Sequence, residues 1–157
     1  MNYKEFVTGW SSGLPETPCG AGSRISNTRI QRKWIPAKVK EYGILDIADI
    51  GAGDLNWMKR TELGCAYRGF DLVPRHPDIQ QFDLLTDKLP EADCLMVLWV
   101  INHLTADQSK HAASKILNSK SRYLFATWHP RYYNFIDATV IDSVKINNGA
   151  ELRLIEL

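Results

Sequence analysis

The feature that most constrains the fold is a glycine turn placed directly after a short apolar stretch. Residues 45–50 have the composition of a buried β-strand, and the turn Gly51-Ala52-Gly53 follows at once. A short helical stretch through Trp57 and Met58 is predicted next. Glycines at such a turn let the backbone approach a ligand closely, where a side chain would collide. The pattern therefore predicts a strand–loop–helix unit whose loop binds a ligand.

Strand and helix patterns alternate along the rest of the chain. Residues 94–100 form a continuous apolar run, as expected of a parallel strand covered on both faces. A capping box begins at Thr105 and predicts a helix, while Asn148-Gly149 is a strong hairpin signal. Besides 45–50, the predicted strands are residues 66–72, 79–84, 94–100, 123–128, 139–146 and 151–157. We therefore predict an α/β fold, a Rossmann-like open and mostly parallel sheet with helices on both faces and a C-terminal antiparallel hairpin.

The chain length of 157 residues fits one domain with one core. Apolar positions at helical spacing over 28–42 predict a helix that Pro36 kinks or divides and that Gly43 ends. We expect residues 1–43 to form an N-terminal arm and helix that cover the substrate, and residues 44–157 to form the Rossmann-like core.

A carboxylate at the end of the second strand suggests a nucleoside ligand. Asp71 lies about 20 residues beyond Gly51, where an acidic side chain can accept hydrogen bonds from ribose hydroxyls. The phosphate-binding pattern of three glycines is absent, because Asn56 occupies the third position. The sequence thus predicts an adenosine-type ligand without a pyrophosphate.

Two further carboxylates flank the glycine turn. Asp49 precedes the turn and Asp54 follows it, so the loop would repel a diphosphate and attract an ammonium or sulfonium group. The loop therefore favours S-adenosylmethionine over NAD.

These motifs resemble those of the class I S-adenosylmethionine-dependent methyltransferases, whose first motif is an acid-x-Gly-x-Gly turn. Asp49, Gly51 and Gly53 match it, and the resemblance extends over about residues 44–129. The Gly-Asp-Leu-Asn-Trp-Met string at 53–58, together with the Gly-Ser and Asn-Thr pairs within 22–28, looks closest to a compact bacterial and phage-type subgroup.

The resemblance implies roles for individual residues. Asp71 would hold the ribose, Asp83 would accept the adenine amino group, and Leu72 and Leu84 would sandwich the base. Asp49 and the loop backbone would hold the methionine end of S-adenosylmethionine, which leaves as S-adenosylhomocysteine. The cofactor-binding residues expected are Asp49, Gly51, Ala52, Gly53, Asn56, Trp57, Asp71, Leu72, Asp83, Leu84 and Leu98.

The chain departs from the family pattern in two places. Leu55 replaces a common third glycine, and Leu98-Trp99 stands where polar residues are often found. The Asp/Asn-Pro-Pro-Tyr string of amino-directed DNA methyltransferases is also absent, so methylation of DNA bases is not expected.

A catalytic base is optional, because orienting the two reactants alone can supply about 7–11 kcal/mol in methyl transfer. His103, after the fourth predicted strand, and His129, after the fifth, are the candidates, since a neutral imidazole suits proton removal. Either histidine can instead be structural. Other functions stay open: a binding or regulatory module without turnover, an enzyme that degrades S-adenosylmethionine without an acceptor, and a nucleotide-dependent oxidoreductase.

The charge distribution bears on the acceptor. Net charge is +1, yet residues 24–40 carry only basic charges, which indicates either a solvated helix face or a site for an anionic small molecule or a phosphate-bearing acceptor. The longest apolar run, 94–101, is too short to cross a membrane, so we expect a cytoplasmic protein. Three widely spaced cysteines suggest neither zinc nor disulfides. A homodimer through a sheet edge is possible.

Overall fold

One seven-stranded sheet organises the computed structural model, which describes residue 9 and residues 11–132, 136 and 138–157. Two α-helices accompany the sheet in that described part, α1 (Gln31–Tyr42) and α2 (Ala106–Leu117). The strands are β1 (Asp46–Ile50), β2 (Ala66–Asp71), β3 (Ile79–Gln81), β4 (Cys94–Val97), β5 (Tyr123–Trp128), β6 (Thr139–Lys145) and β7 (Glu151–Glu156).

The sheet has the order β3-β2-β1-β4-β5-β7-β6. The first five strands are parallel, and β7 runs antiparallel between β5 and β6. The predicted mostly parallel sheet with a C-terminal antiparallel pair is therefore confirmed. Strand order reverses between β1 and β4, and ligands of open α/β sheets bind beyond the carboxyl ends of the strands at such a point.

The two faces of the sheet are covered by different helices. Ile47 of β1 packs in one apolar cluster with Ile35 and Val39 of α1, whereas Ala48 packs in a second cluster with Ile116 of α2. Successive residues of a strand point to opposite faces, so the continuous apolar strands supply both clusters. The predicted helices on both faces are confirmed.

Local sequence signals set several element boundaries. Gly43 ends α1 in the left-handed conformation with φ 61°, and Thr105 caps α2 in a complete capping box with Gln108. Asn148 and Gly149, with φ of 64° and 75°, form the turn between β6 and β7. Pro36 lies inside α1 without dividing it, and the buried Ile35 and Val39 anchor the helix on both sides of the proline.

The predicted short helical stretch after the glycine turn is a 3₁₀ turn, Met58–Arg60, which Trp57 precedes. Two strands end earlier than predicted. Strand β4 ends at Val97 rather than at residue 100, because Trp99 adopts φ 58° and its N–H donates to Thr127 Oγ1 at 2.8 Å, which breaks the strand ladder. Strand β3 covers three residues rather than six, since the chain turns soon after it: the N–H groups of Thr86 and Asp87 donate to the carbonyl of Asp83.

Among the described residues, no helix combines the length and the apolar character needed to cross a bilayer.

Candidate functional site

A cavity of about 370 Å³ opens beyond the carboxyl ends of β1, β2 and β4. Its wall includes the glycine loop after β1, the end of β2, the segment after β4 and residues from the N-terminal part of the chain. The cavity thus lies at the reversal of strand order, where the topology predicts a ligand. Of the expected site residues, the following line it: Asp49, Gly51, Ala52, Gly53, Trp57, Asp71, Leu72, Leu84, Leu98 and His103.

The glycine loop has positive φ angles at two positions. Gly51 has φ 92°, and a Cβ added there would collide with the side chain of Val100. Gly53 has φ 66°, and an added Cβ would be in tight contact with Cys19 Sγ at 3.0 Å. Both positions therefore favour glycine for backbone conformation, and Gly51 also needs it for space, which keeps the loop backbone exposed to the cavity.

Asp71 links the end of β2 to this loop. Its Oδ2 accepts a 2.8 Å hydrogen bond from Gly53 N–H, and its Oδ1 accepts one of 2.9 Å from Val73 N–H. The side chain is 9% exposed, and burial raises the pKa of the carboxyl while the backbone donors oppose that shift. Each oxygen keeps a second lone pair, so the carboxylate can also accept hydrogen bonds from a ligand hydroxyl.

Asp49 is the most deeply buried carboxyl group of the cavity wall. Burial raises its pKa to about 7, and the neighbouring charge of Asp71 adds to that rise. The hydroxyl of Tyr67 donates a 2.6 Å hydrogen bond to Asp49 Oδ2 and opposes the shift. A cation placed in the cavity would favour the ionised form of Asp49, so the site suits an ammonium or sulfonium group.

An apolar slot lies next to Asp71. Leu72, Phe82 and Leu84 all line the cavity, and Phe82 and Leu84 are buried. Asp83 does not line it: Oδ1 accepts a 2.9 Å hydrogen bond from Leu85 N–H and thereby shapes the turn after β3. The slot can hold a flat base between apolar side chains. The Asp83 carboxylate is already hydrogen-bonded within its own turn.

Asn56 also lies outside the cavity wall, although its neighbour Trp57 belongs to it. The Asn56 amide donates hydrogen bonds of 2.9 Å to Glu16 Oε1 and to the carbonyl oxygen of Ser23. Asn56 therefore fastens the N-terminal segment to the glycine loop. Leu55 has φ 59° and is buried, so it takes a left-handed conformation at the position of the common third glycine.

The two candidate histidines have different surroundings. His103 lines the cavity while part of its side chain stays exposed, and partial burial lowers its pKa. His129 lies outside the cavity wall and is 8% exposed. His129 Nδ1 accepts from Arg131 N–H at 3.1 Å, so Nε2 carries the proton and donates to the carbonyl of Asn148 at 3.0 Å. His103 is thus placed to meet a ligand, and His129 ties together two loops.

The N-terminal part of the chain contributes several residues to the cavity wall. Cys19, Gly22, Thr28 and Gln31 line it, and Gln31 lies on α1. Positions 1–8 and 10 of the expected cover lie outside the described residues.

The basic segment 24–40 forms part of a second, shallower groove. Arg29, Arg32 and Lys33 of α1 and the preceding turn line it together with Arg60 and Glu62. Arg32 donates to the carbonyl of Ile25, and Arg24 and Lys38, elsewhere in the segment, pair with carboxylates. Arg29, Lys33 and Arg60 have no ion-pair partner among the described residues. The groove is therefore a candidate for binding an anion.

Several residues of the site have no clear signature in the sequence. Tyr67 lies in β2 and reaches Asp49 only because β1 and β2 are paired in parallel. Gln31, Asn102 and Arg75 line the cavity without any motif. Phe82, which lines the apolar slot, lies within a predicted strand. Its position directly before Asp83 is the one sequence signal for its place in the slot.

Comparisons with known proteins identify the fold. No protein-family model matches the chain, and no curated protein sequence matches it. Among solved structures, the N-methyltransferase NodS from Bradyrhizobium japonicum WM9 with S-adenosylhomocysteine matches at a TM-score of 0.73 and 12% identity, over 99% of this chain and 98% of that one.

Two further matches agree. Magnesium protoporphyrin IX methyltransferase from Synechocystis PCC 6803 with bound S-adenosylmethionine gives a TM-score of 0.66 at 13% identity, over 84% of this chain and 81% of that one. Human N-acetylserotonin methyltransferase with S-adenosylmethionine gives 0.62 at 13% identity, over 82% of this chain but only 52% of that one. The chain has the fold of the S-adenosylmethionine-dependent methyltransferases.

Proposed function

We propose that the protein is an S-adenosylmethionine-dependent methyltransferase that transfers a methyl group to a small-molecule acceptor. One observation carries the proposal: the glycine loop after β1 and the carboxylate at the end of β2 face the same cavity and are hydrogen-bonded to each other. Solved methyltransferases with the same fold hold S-adenosylmethionine or S-adenosylhomocysteine. Two of them are named for small-molecule acceptors, magnesium protoporphyrin IX and N-acetylserotonin, which supports the same acceptor class here.

The residues of the cavity fit S-adenosylmethionine. Gly51 and Gly53 leave the loop backbone open, and the buried Asp49 needs a cation to stay ionised near neutral pH. Asp71 offers spare lone pairs to ribose hydroxyls, and the apolar slot suits adenine. The loop has carboxylates on both sides of the turn, which disfavours the diphosphate of NAD.

Each residue of this set would have a defined task. Asp71 binds the ribose, Leu72 and Leu84 enclose the adenine with Phe82, and Asp49 with the loop backbone holds the methionine ammonium. Asp83 and Asn56 act through local hydrogen bonds that shape the adjoining turns. The bound cofactor supplies an electrophilic methyl group, and the protein's main contribution is to orient the acceptor against it.

Proton removal, where the acceptor requires it, falls to His103. Its lowered pKa keeps the imidazole neutral at pH 7, and it lines the cavity. His129 is the weaker candidate, because both of its ring nitrogens are engaged with the backbone of neighbouring loops.

The test of the cofactor is calorimetric titration of the purified protein with S-adenosylmethionine, S-adenosylhomocysteine and NAD. We expect micromolar binding of the first two and none of NAD. Binding of NAD alone would support an oxidoreductase, and binding of none would refute the proposed cofactor.

Turnover separates the methyltransferase from its alternatives. Incubation with S-adenosylmethionine and a panel of small acceptors should release S-adenosylhomocysteine in an acceptor-dependent manner. Binding without any product would support a regulatory module, and breakdown of S-adenosylmethionine without an acceptor would support a degrading enzyme.

An anionic acceptor would use the basic groove. Inorganic pyrophosphate is a suitable probe, with binding followed by phosphorus NMR, and Arg29→Glu with Lys33→Glu should abolish it while S-adenosylhomocysteine affinity is unchanged. Absence of pyrophosphate binding by the unmodified protein would remove the anionic acceptor class.

Residues 1–43 complete the proposed cover, since Cys19, Gly22, Thr28 and Gln31 already line the cavity.

A further inference from the structure

We infer that the part of the cavity between α1 and residues 98–104 is an acceptor subsite for a flat small molecule that donates hydrogen bonds through O–H or N–H groups. This inference rests on the proposed function and names the class of acceptor that the site takes. Three observations carry it: two unpaired amide oxygens and one tryptophan with a strained backbone, all in the same wall.

The first observation is Gln31. This residue of α1 is 6% exposed and lines the cavity. Its Oε1 is shut off from solvent and has no hydrogen-bond partner among the described residues. A buried carbonyl oxygen without a donor has given up its hydrogen bonds to water without replacement, so native structures rarely retain one without a reason.

The second observation is Asn102, in the 3₁₀ turn Ile101–His103 after β4. Its side chain lines the same cavity, and its Oδ1 is in the same unpaired state. The two amides come from distant parts of the sequence and line the same cavity. A single local packing defect therefore does not explain both unpaired oxygens. The terminal torsion of a side-chain amide is broad, so rotation about it can bring either oxygen to a ligand donor.

The third observation is Trp99, which also lines the cavity. It has φ 58°, a conformation that a bulky residue adopts only where its surroundings enforce it. Its backbone N–H donates to Thr127 Oγ1 at 2.8 Å. Its indole Nε1 lies beside Gly22, 4.0 Å from the position that a Cβ at Gly22 would occupy. The hydrogen bond to Thr127 helps to maintain this strained backbone and so keeps a large aromatic side chain in the wall, where an indole can pack against another flat ring.

These features select the acceptor by two properties. The ring of Trp99 favours a planar molecule, and the oxygens of Gln31 and Asn102 favour hydrogen-bond donors on its edge. An acceptor whose donors are all blocked would leave both oxygens unpaired and would bind less tightly.

A matched pair of fragments tests the inference. Resorcinol carries two O–H donors, and 1,3-dimethoxybenzene has the same ring without them. Binding of each is measured by saturation-transfer NMR, with and without S-adenosylhomocysteine, to the unmodified protein and to Gln31→Met and Asn102→Leu. Gln80→Met is the control, because Gln80 is exposed and lies outside the cavity wall.

We expect resorcinol to bind about fivefold or more tightly than 1,3-dimethoxybenzene, as one or two hydrogen bonds allow. Gln31→Met and Asn102→Leu should each reduce that preference, and Gln80→Met should keep it. Both cavity variants remove an unpaired buried oxygen, so their melting temperatures should be unchanged or higher.

Equal binding of the two fragments, or a preference that survives both cavity variants, would overturn the inference. The cofactor titration is read separately: a protein that binds S-adenosylhomocysteine but shows no donor preference refutes only the acceptor subsite. A protein that binds no S-adenosylhomocysteine refutes the proposed function, and the fragment data without that ligand still decide the subsite. Loss of S-adenosylhomocysteine affinity in Gln31→Met would assign that amide to the cofactor and overturn its acceptor role.

Discussion

The carboxylate of Asp71 accepts a 2.8 Å hydrogen bond from the backbone N–H of Gly53 and so joins the ends of two neighbouring parallel strands. The same side chain accepts from Val73 N–H on the other side. One buried carboxylate therefore fixes the loops on both sides of the expected ribose position. Its structural and binding tasks cannot be separated by removing it altogether.

Asp71→Asn is the informative substitution at this position. An amide keeps one acceptor oxygen, so one of the two backbone donors loses its partner and a ribose hydroxyl meets an N–H₂ group. We expect S-adenosylhomocysteine affinity to fall tenfold or more in calorimetric titration, with a smaller loss of thermal stability.

Asp78→Asn is the control, because Asp78 is exposed and lies outside the cavity wall. Equal affinities for the two variants would contradict a role of Asp71 in binding.

Asp49 predicts a pH dependence of cofactor binding. Burial holds its pKa at about 7 in the free protein, so the carboxyl is mostly protonated below that pH. A bound cation needs the ionised form, and affinity should therefore fall as the pH drops from 8 to 5, by up to about tenfold per pH unit below 7. Titrations across this range would measure the profile, and a flat profile would contradict the assignment.

Tyr67→Phe and Asp49→Asn are the paired variants for that profile. Loss of the Tyr67 hydrogen bond should raise the Asp49 pKa further and move the midpoint to higher pH. A carboxyl with a raised folded-state pKa destabilises the fold as pH rises from about 4 through 7. Asp49→Asn should therefore raise the melting temperature at pH 8, have little effect near pH 4, and weaken cofactor binding.

The sequence was sufficient for the architecture, because each deciding signal was local. The apolar run of β4, the capping box at Thr105 and the Asn148-Gly149 turn depend on near neighbours in the chain, and all three predicted elements are present. The end of β4 was predicted too late, because the strand stops through a tertiary hydrogen bond to Thr127 that no local pattern indicates.

The cavity wall was predictable only in part, for the same reason. Residues at the end of a strand or directly after it, such as Asp71 and Gly51, were placed by the strand itself. Gln31 reaches the cavity because α1 packs across the sheet, and Asn56 leaves it because its amide bonds the N-terminal segment. Such long-range contacts are set by packing and have no signature in the spacing of residues.

The capping box at Thr105 predicts a stability effect that is separate from binding. Thr105 Oγ1 accepts from Gln108 N–H, and the Gln108 side chain accepts from Thr105 N–H. Thr105→Ala should lower the free energy of unfolding by about 1 kcal/mol, measured by urea denaturation, with S-adenosylhomocysteine affinity unchanged. Ser114→Ala, at an exposed position within α2, should be neutral or slightly stabilising.

Replacing Gly51 by alanine should cause a steric clash in addition to backbone strain. Gly51→Ala would place a methyl group against Val100 and force either the loop or residues 98–104 to move. Gly64 also has positive φ, 78°, but nothing lies within 4 Å of an added Cβ there. Both alanine variants therefore incur a similar conformational cost of about 1 kcal/mol, and only one incurs a collision.

Calorimetric titration with S-adenosylhomocysteine separates the two effects. Gly64→Ala should bind like the unmodified protein at a slightly lower melting temperature, while Gly51→Ala should lose at least tenfold in affinity. Adding Val100→Ala to Gly51→Ala should recover part of that loss, because it removes the colliding methyl groups. Equal affinities for Gly51→Ala and Gly64→Ala would mean that the loop after β1 does not need to approach the ligand, and the proposed cofactor position would then be wrong.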